Sequence, residues 1–423
     1  MRIFTVLLLV FNLTIVSAQD TIKVMHYNLL YYGNSAFCSE NTNNTDQKDD
    51  YLLSILSYTR PDIITVNEMS YQSNYHQRML DEVMNQAGYA LFDMVPGSNL
   101  AEASIMNLLF YNTEKLGYHS KATAQTEIRD IDVFRLYSLD VGLDKGDTVF
   151  LSCVVAHLKS SQGQTNEDMR ALMVENSLNY LEANAHTGNY LLMGDFNFYS
   201  ASEEGFQLMI NNNDPVFRFY DPVNVIGSWH NNAAYREVHT QSTRTEQSGN
   251  CGASGGMDDR FDFIMINNAI HDETDQIEYI EDSYWALGQD GQRFNGSIAD
   301  PPNTSLPEFM IDALFGMSDH LPVVMDLVIT ENVGFQDIRY PMLDIRYSNP
   351  VQDELKIYFT KSLTRPITIS LHSVSGGVVL QEQVYPSGDS RISIVMSNVT
   401  SGFYILHIQS EEGFFTGKLL VRK

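Results

Sequence analysis

The chain has 423 residues, 43% hydrophobic and 11% aromatic, which suffices for one large core or two to three smaller ones and excludes a disordered chain. Its formal charge of -27 excludes tight, nonspecific clamping of nucleic acid by a basic face, because phosphate neutralisation supplies most of that affinity. A phosphate substrate stays open, since a bound divalent cation inverts the local field of an acidic site.

In chain order, Met1-Arg2 precedes an apolar stretch over 3–15 that ends in Val16-Ser17-Ala18, the pattern of a secretory signal peptide covering 1–18. The stretch is short for a spanning helix, and no later segment is long and apolar enough to cross a bilayer. Strand-like and helix-like segments then alternate from Thr21 to about Thr330. Periodicity predicts strands at 22–27, 63–67, 105–111, 148–156, 190–193, 261–266 and 323–329. Helices are predicted at 47–58, 71–86 and 166–184, the last with Thr165 and Asp168 as caps and Val174, Leu178, Leu181 and Ala185 on one face. This mixture implies a layered α/β sandwich. Polar, Asn-rich and Gly-rich sequence at 211–257 and a loop at 286–307 are expected to rim a site and choose its substrate. From Tyr340 onward, alternating patterns at 355–359, 367–371, 392–395 and 403–408 predict a small all-β module of sandwich type with no acid or imidazole cluster for catalysis.

Three cysteines occur, none with zinc-ligand spacing. Cys153 lies in an apolar run and is expected in the core. Cys38 and Cys251 lie in polar sequence and are favoured as a pair, although sequence alone fixes no connectivity.

Chemistry concentrates where apolar runs stop. Asn28 ends the first strand, either as a turn residue or as an amide that supports a metal or a phosphate oxygen. Glu68 follows a fully apolar strand, where a carboxylate is costly to bury unless paired or metal-bound. His157 is either a satisfied core histidine or a phosphate contact. In Gly194-Asp195-Phe196-Asn197 the glycine permits a sharp exit, Asp195 can accept a proton from water, and Asn197 can bond a transition-state oxygen. Asp262 is solvated if it faces outward and needs a partner, naturally a histidine, if it faces inward. Asp319-His320 offers one ligand and one proton-handling group. Lys159, Arg170, Arg236 and Arg244 are candidate phosphate contacts.

Taken in this order, these segments resemble the endonuclease/exonuclease/phosphatase superfamily, the metal-dependent phosphoesterase fold of pancreatic-type deoxyribonuclease, abasic-site endonucleases, sphingomyelinases and inositol-polyphosphate phosphatases. The resemblance implies a four-layer α/β/β/α sandwich over residues 20–331, with the site at one edge of two packed sheets. It also implies Mg²⁺, Mn²⁺ or Ca²⁺ as cofactor, with Asn28, Glu68 and Asp319 about the metal. Asp195 would orient water, Asn197 donate to the transition state, His157 face the phosphate, and Asp262 align His320. Leu30 stands where the abasic-site branch carries an extra acid, which weakens that particular likeness. After a linker at 332–339, residues 340–423 resemble the sorting domain of the type IX secretion system of Bacteroidetes, on Asn349-Pro350, Gly376, Ser401-Gly402-Phe403-Tyr404 and Lys418-Leu419-Leu420-Val421. Together these imply a secreted or surface-attached monomer that engages the outer-membrane secretion machinery and hydrolyses phosphodiesters in nucleic acid. The alternatives are a phosphatase or phospholipase C-like esterase, and an inactive binding or adhesion protein.

Overall fold

Strands that are apolar at nearly every position need cover on both faces, and the centre of this chain's larger unit provides it. The structure, a computed structural model, describes residues 19–39, 41–139, 148–184, 187–247, 249, 251–330, 343, 345–359, 365–373, 377–385, 391–410 and 413–423. The expected signal peptide, the expected linker, Ala185 and Gly376 lie outside these residues. Two compact units divide the chain, Met1–Glu331 and Asn332–Lys423.

The first unit contains β1 (Gln19–Tyr32), α1 (Thr45–Thr59), β2 (Ile63–Ser70), α2 (Ser73–Arg78), β3 (Phe92–Val95), β4 (Ile105–Asn112), β5 (Leu116–Gln125), β6 (Ile131–Ser138), β7 (Phe150–His157), α3 (Gln164–Asn184) and β8 (Asn189–Asp195). There follow α4 (Glu204–Ile210), β9 (Phe219–Tyr220), β10 (Asp262–Asn267), α5 (Asn268–His271), β11 (Ile277–Tyr279), β12 (Trp285–Ala286), α6 (Glu308–Met317) and β13 (Val323–Thr330). One sheet runs β11-β13-β1-β2-β4-β3, with β12 also on β13, and the other runs β5-β6-β7-β8-β10-β9.

Alternation along the strands sorts side chains between two buried layers. Cys153, Val155, Leu191, Met193 and Ile264 of the second sheet pack with Ile22, Val24 and Val66 of the first, so the sheets face each other. Their neighbours Val154, Ala156, Leu192 and Phe263 turn the other way, onto Met173, Val174 and Leu178 of α3 and Phe206 of α4. Leu52, Ile55 and Leu56 of α1 and Met310, Ile311 and Leu314 of α6 join the first cluster. The result is a four-layer α/β/β/α sandwich, each fully buried Leu, Ile or Val contributing roughly 1.5–3 kcal/mol relative to exposure.

Local sequence explains the helix ends. The Asn44 side chain accepts from the Gln47 N–H at 3.0 Å to start α1, and Arg60 in the left-handed region, φ 51°, stops it before Pro61. Helix α3 begins before its expected caps: the carbonyl of Gly163 accepts from the Asn166 and Glu167 N–H groups, leaving Thr165 and Asp168 inside the helix. The predicted helix at 71–86 divides into α2, a π turn at Met79–Val83 and a 3₁₀ turn at Met84–Gln86; these wider and tighter turns keep Met79, Leu80, Val83 and Met84 all buried. Strands β3, β5 and β6 carry no element in the sequence reading.

The second unit comprises β14 (Ile345–Tyr347), β15 (Glu354–Phe359), β16 (Ile367–Ser373), β17 (Val378–Val384), β18 (Arg391–Val395), β19 (Gly402–Ser410) and β20 (Gly413–Val421). Its sheets, β14-β15-β18 and β17-β16-β19-β20, enclose Leu355, Ile357, Ile369, Leu371, Leu406 and Ile408.

Candidate active site

The first sheet loses its regular pairing at the edge where β7 and β8 of the second sheet end in His157 and Asp195. The β1–β2 register shifts between Asn28 and Tyr32, and the backbone turns left-handed at Leu30, Tyr31, Glu68 and Asn197, with φ of 46, 52, 59 and 53°. Each such residue costs roughly 1–2 kcal/mol, and strain of this kind persists only where the surroundings over-determine it. Here the restraints are explicit: the Tyr31 N–H donates to Glu68 Oε2 at 3.0 Å, the Leu30 N–H to Asn28 Oδ1 at 3.0 Å, and the Asn197 N–H to Asp195 Oδ1 at 3.1 Å. At Gly194 an added Cβ would lie 1.7 Å from the Ala156 carbonyl oxygen, so only glycine lets β8 approach β7 this closely before Asp195.

The eight residues named from the sequence meet at this edge. Asn28 donates through Nδ2 to Asp195 Oδ2 at 3.0 Å and to Glu68 Oε1 at 3.2 Å. Asn28 Oδ1 accepts from the Leu30 N–H, which holds the amide with its Nδ2 toward the two acids. His157 Nε2 lies 3.5 Å from Asp195 Oδ2 and 3.9 Å from Glu68 Oε1. Asp262 faces inward, fully buried, and its Oδ2 is 2.7 Å from His320 Nδ1. His320 Nε2 is 3.7 Å from Asp195 Oδ2 and 2.6 Å from the Gln241 side-chain amide. Ser318 Oγ donates to the Asn28 carbonyl at 2.7 Å and accepts from the His320 N–H at 3.1 Å, tying β13's approach to β1. Asp319 Oδ2 accepts from the Ala253 N–H at 2.6 Å and the Gln241 amide at 3.3 Å, whereas its buried Oδ1 has no hydrogen-bond partner among the described residues. Asn197 Nδ2 donates to the Leu158 carbonyl at 3.4 Å.

Burial and charge divide the proton-handling roles. Burial pushes the Asp195 carboxyl up to about 7, against the pull of His320. Burial pulls on His320 in the opposite sense, but Asp262, Asp195 and Asp319 together hold the imidazole well above its usual range. Burial, assisted by Arg129, keeps His157 well below that range and therefore neutral. Glu68 is raised by burial first and by Asp319 second.

A cavity of about 380 Å³ opens over these groups. Its wall includes Tyr31, Phe37, Arg129 and Gln241, none of which the sequence reading assigned to the site. Gln241, Gly252 and Ala253 bring the 211–257 loop to the rim as expected; no described residue of 286–307 lines it, that stretch packing through Phe294 against Met257 instead. Cys38 and Cys251 form a disulfide at the cavity wall, and Cys153 is a buried thiol. Two expected phosphate contacts are corrected. Arg170, on the buried face of α3, pairs with Glu203 at 2.7 Å and donates to the carbonyls of Lys159 and Ser161, bracing the loop after β7. Arg244 is buried and donates to the Phe315 carbonyl at 2.7 Å. Arg236 is exposed, and the Lys159 ammonium donates to the Ser160 carbonyl.

The donor set fits a hard divalent cation. Glu68, His157 and Asp195 offer ligand atoms within 4.8 Å of one another, and the unpartnered oxygen of Asp319 is a buried acceptor of the kind a cation satisfies.

A four-layer sandwich with acids, amides and imidazoles gathered at one edge is the architecture of a phosphoester hydrolase. The chain belongs to the Endonuclease/Exonuclease/phosphatase family, which it matches over residues 25–320, and residues 346–422 match the Secretion system C-terminal sorting domain. That domain marks the chain for export by the type IX system to the cell surface or the extracellular space, and so for contact with the secretion machinery. No described helix is long and apolar enough to cross a membrane. Similar solved structures include an endonuclease/exonuclease/phosphatase family protein from Bacteroides thetaiotaomicron, 13% identical, covering 74% of this chain and 96% of that one with a TM-score of 0.44. D. rerio TDP2 complexed with single strand DNA product is 13% identical over 73% of this chain and 99% of that one, TM-score 0.45. The human Nocturnin catalytic domain with bound sulfate is 14% identical over 74% and 97%, TM-score 0.44. Comparison with curated proteins gives no match.

Proposed function

We propose that the protein is a secreted, monomeric, divalent-metal-dependent nuclease that hydrolyses phosphodiesters by in-line attack of water, made with a signal peptide over 1–18 and built as a catalytic domain over 20–331, a linker over 332–339 and a sorting module over 340–423. The observation that carries this reading is the convergence at one cavity of a buried acid and two imidazoles, with Asp195 Oδ2 3.5 Å from His157 Nε2 and 3.7 Å from His320 Nε2, and His320 Nδ1 held at 2.7 Å by Asp262. Asp195 takes the proton of the attacking water, while His320, oriented by Asp262, faces the negative charge that develops on the phosphate oxygens. Neutral His157 and the Asn197 amide donate to the same oxygens. Arg129, whose Nε is buried without a hydrogen-bond partner among the described residues, adds a cationic donor. Mg²⁺, Mn²⁺ or Ca²⁺, held by Glu68 and Asp319 with Asn28 bracing the acids, would neutralise phosphate charge. For the organic part of the substrate, Tyr31 and Phe37 pair at 5.1 Å on the cavity wall, and Phe37 remains 65% exposed. A flat aromatic face beside the phosphate suits a nucleobase.

The test is to incubate the secreted protein with plasmid DNA, RNA, sphingomyelin and inositol phosphates, each with and without Mg²⁺, Mn²⁺ or Ca²⁺. DNA or RNA should be cut, and chelation should stop the reaction. Hydrolysis of the lipid or the monoester alone overturns the nuclease reading.

A further inference from the structure

Behind the Asp262–His320 pair lies a second imidazole that the reaction described above does not use. His26 belongs to β1, two residues before Asn28 and therefore on the same face of the strand, and it is fully buried. Its Nδ1 lies 2.9 Å from Thr65 Oγ1 of the neighbouring strand, with which it is in register. Its Nε2 makes no hydrogen bond among the described residues, and neither does Asp262 Oδ1; these two buried atoms face each other at 4.0 Å.

The tautomer follows from the partners. Thr65 has one hydroxyl proton and two neighbours for it, His26 Nδ1 at 2.9 Å and the Met193 thioether at 2.9 Å. Imidazole nitrogen is much the better acceptor, and a proton given to it leaves the imidazole's own proton on Nε2. The opposite tautomer would set a lone pair against a carboxylate and leave two buried acceptors unsatisfied, each costing roughly 1–3 kcal/mol. With Nε2–H facing Asp262 Oδ1 at 4.0 Å, the contact is the electrostatic attraction of an N–H dipole for a carboxylate in a buried site, longer than a hydrogen bond.

We propose that His26 is a positioning residue: its Nε2–H holds one oxygen of Asp262, so that the other stays on His320 Nδ1 and fixes the ring that faces the substrate phosphate. The first sheet thereby orients a carboxylate of the second, making a His–Asp–His chain across the sandwich. The inference rests on the phosphodiesterase reading for its effect on turnover, though its structural half does not.

Three substitutions separate positioning from packing. His26→Gln carries an amide where Nε2 stands, His26→Asn carries one only where Nδ1 stands, and His26→Leu carries none. With bis(p-nitrophenyl) phosphate and Mg²⁺, kcat should fall about tenfold or more in His26→Leu and His26→Asn at nearly constant KM, and recover to within about threefold in His26→Gln. In an Asp262→Asn background, His26→Leu should cost little more. Equal loss in the Gln and Asn variants, or full additivity with Asp262→Asn, overturns the proposal. A second readout does not need turnover: the downfield proton resonance of the His320 Nδ1–H, identified by its loss in His320→Gln, should shift in His26→Leu and return in His26→Gln. A resonance unmoved in all three overturns the inference even if the wild-type protein cleaves no phosphodiester, an outcome that by itself counts against the nuclease reading alone.

Discussion

At the scale of single residues, Asp195 carries the sharpest consequence. Its Oδ2 lies within 4 Å of Asn28, His157 and His320, while its Oδ1 holds the Asn197 N–H at 3.1 Å. Asp195→Asn keeps the shape and the acceptor for Asn197 but removes the proton acceptor, so kcat should fall by about 10²–10⁴. Burial already disfavours the charged acid here, so the melting temperature should stay within a few degrees. Steady-state kinetics and thermal melting check both halves, and near-normal turnover would remove Asp195 from the mechanism. The acids and imidazoles of the candidate site were legible in the sequence because each lies in or directly beside a buried apolar run, where a charge demands a reason. Arg129, Gln241 and His26 were not legible. Arg129 and Gln241 sit in loop sequence that resembles any solvated turn, and His26 lies inside an apolar run that hides which of its neighbours it meets.

At the scale of elements, the Cys38–Cys251 disulfide joins segments 213 residues apart and sits against Leu30 beside the bulged end of β1. Two residues past Cys251, the Ala253 N–H holds Asp319 Oδ2, so the bridge anchors the loop that orients a proposed metal ligand. Removing a native bridge that closes so long a loop costs about 2–5 kcal/mol. Cys38→Ser or verified reduction with dithiothreitol should lower the melting temperature and weaken activation by the divalent ion. Unchanged metal dependence in the reduced protein would reduce the bridge to a purely stabilising role. Its position accords with export to an oxidising environment. The same loop shows the limits of reading elements from sequence. Seven apolar strands announced themselves by composition, but β5, with several exposed or half-buried positions at the edge of its sheet, offers only a broken pattern. The turns of 211–257 are set by contacts with distant residues such as Asp319, which no local pattern encodes.

At the scale of the whole molecule, chemistry and address separate. All eight proposed site residues belong to the first unit, whose buried clusters draw on both of its sheets and its main helices, and the second unit has a buried cluster of its own. A domain with its own closed core folds independently, and a sorting module that only guides export need contribute nothing to the reaction. A protein ending at Glu331 should therefore melt in a single cooperative transition and match the full chain in kcat and KM on bis(p-nitrophenyl) phosphate, while failing to reach the medium when expressed with its leader in a type IX-competent host. Loss of cooperative melting or a large fall in kcat/KM after truncation would show that the second unit completes the enzyme, and would turn the sorting module from an address into a structural part of the catalyst.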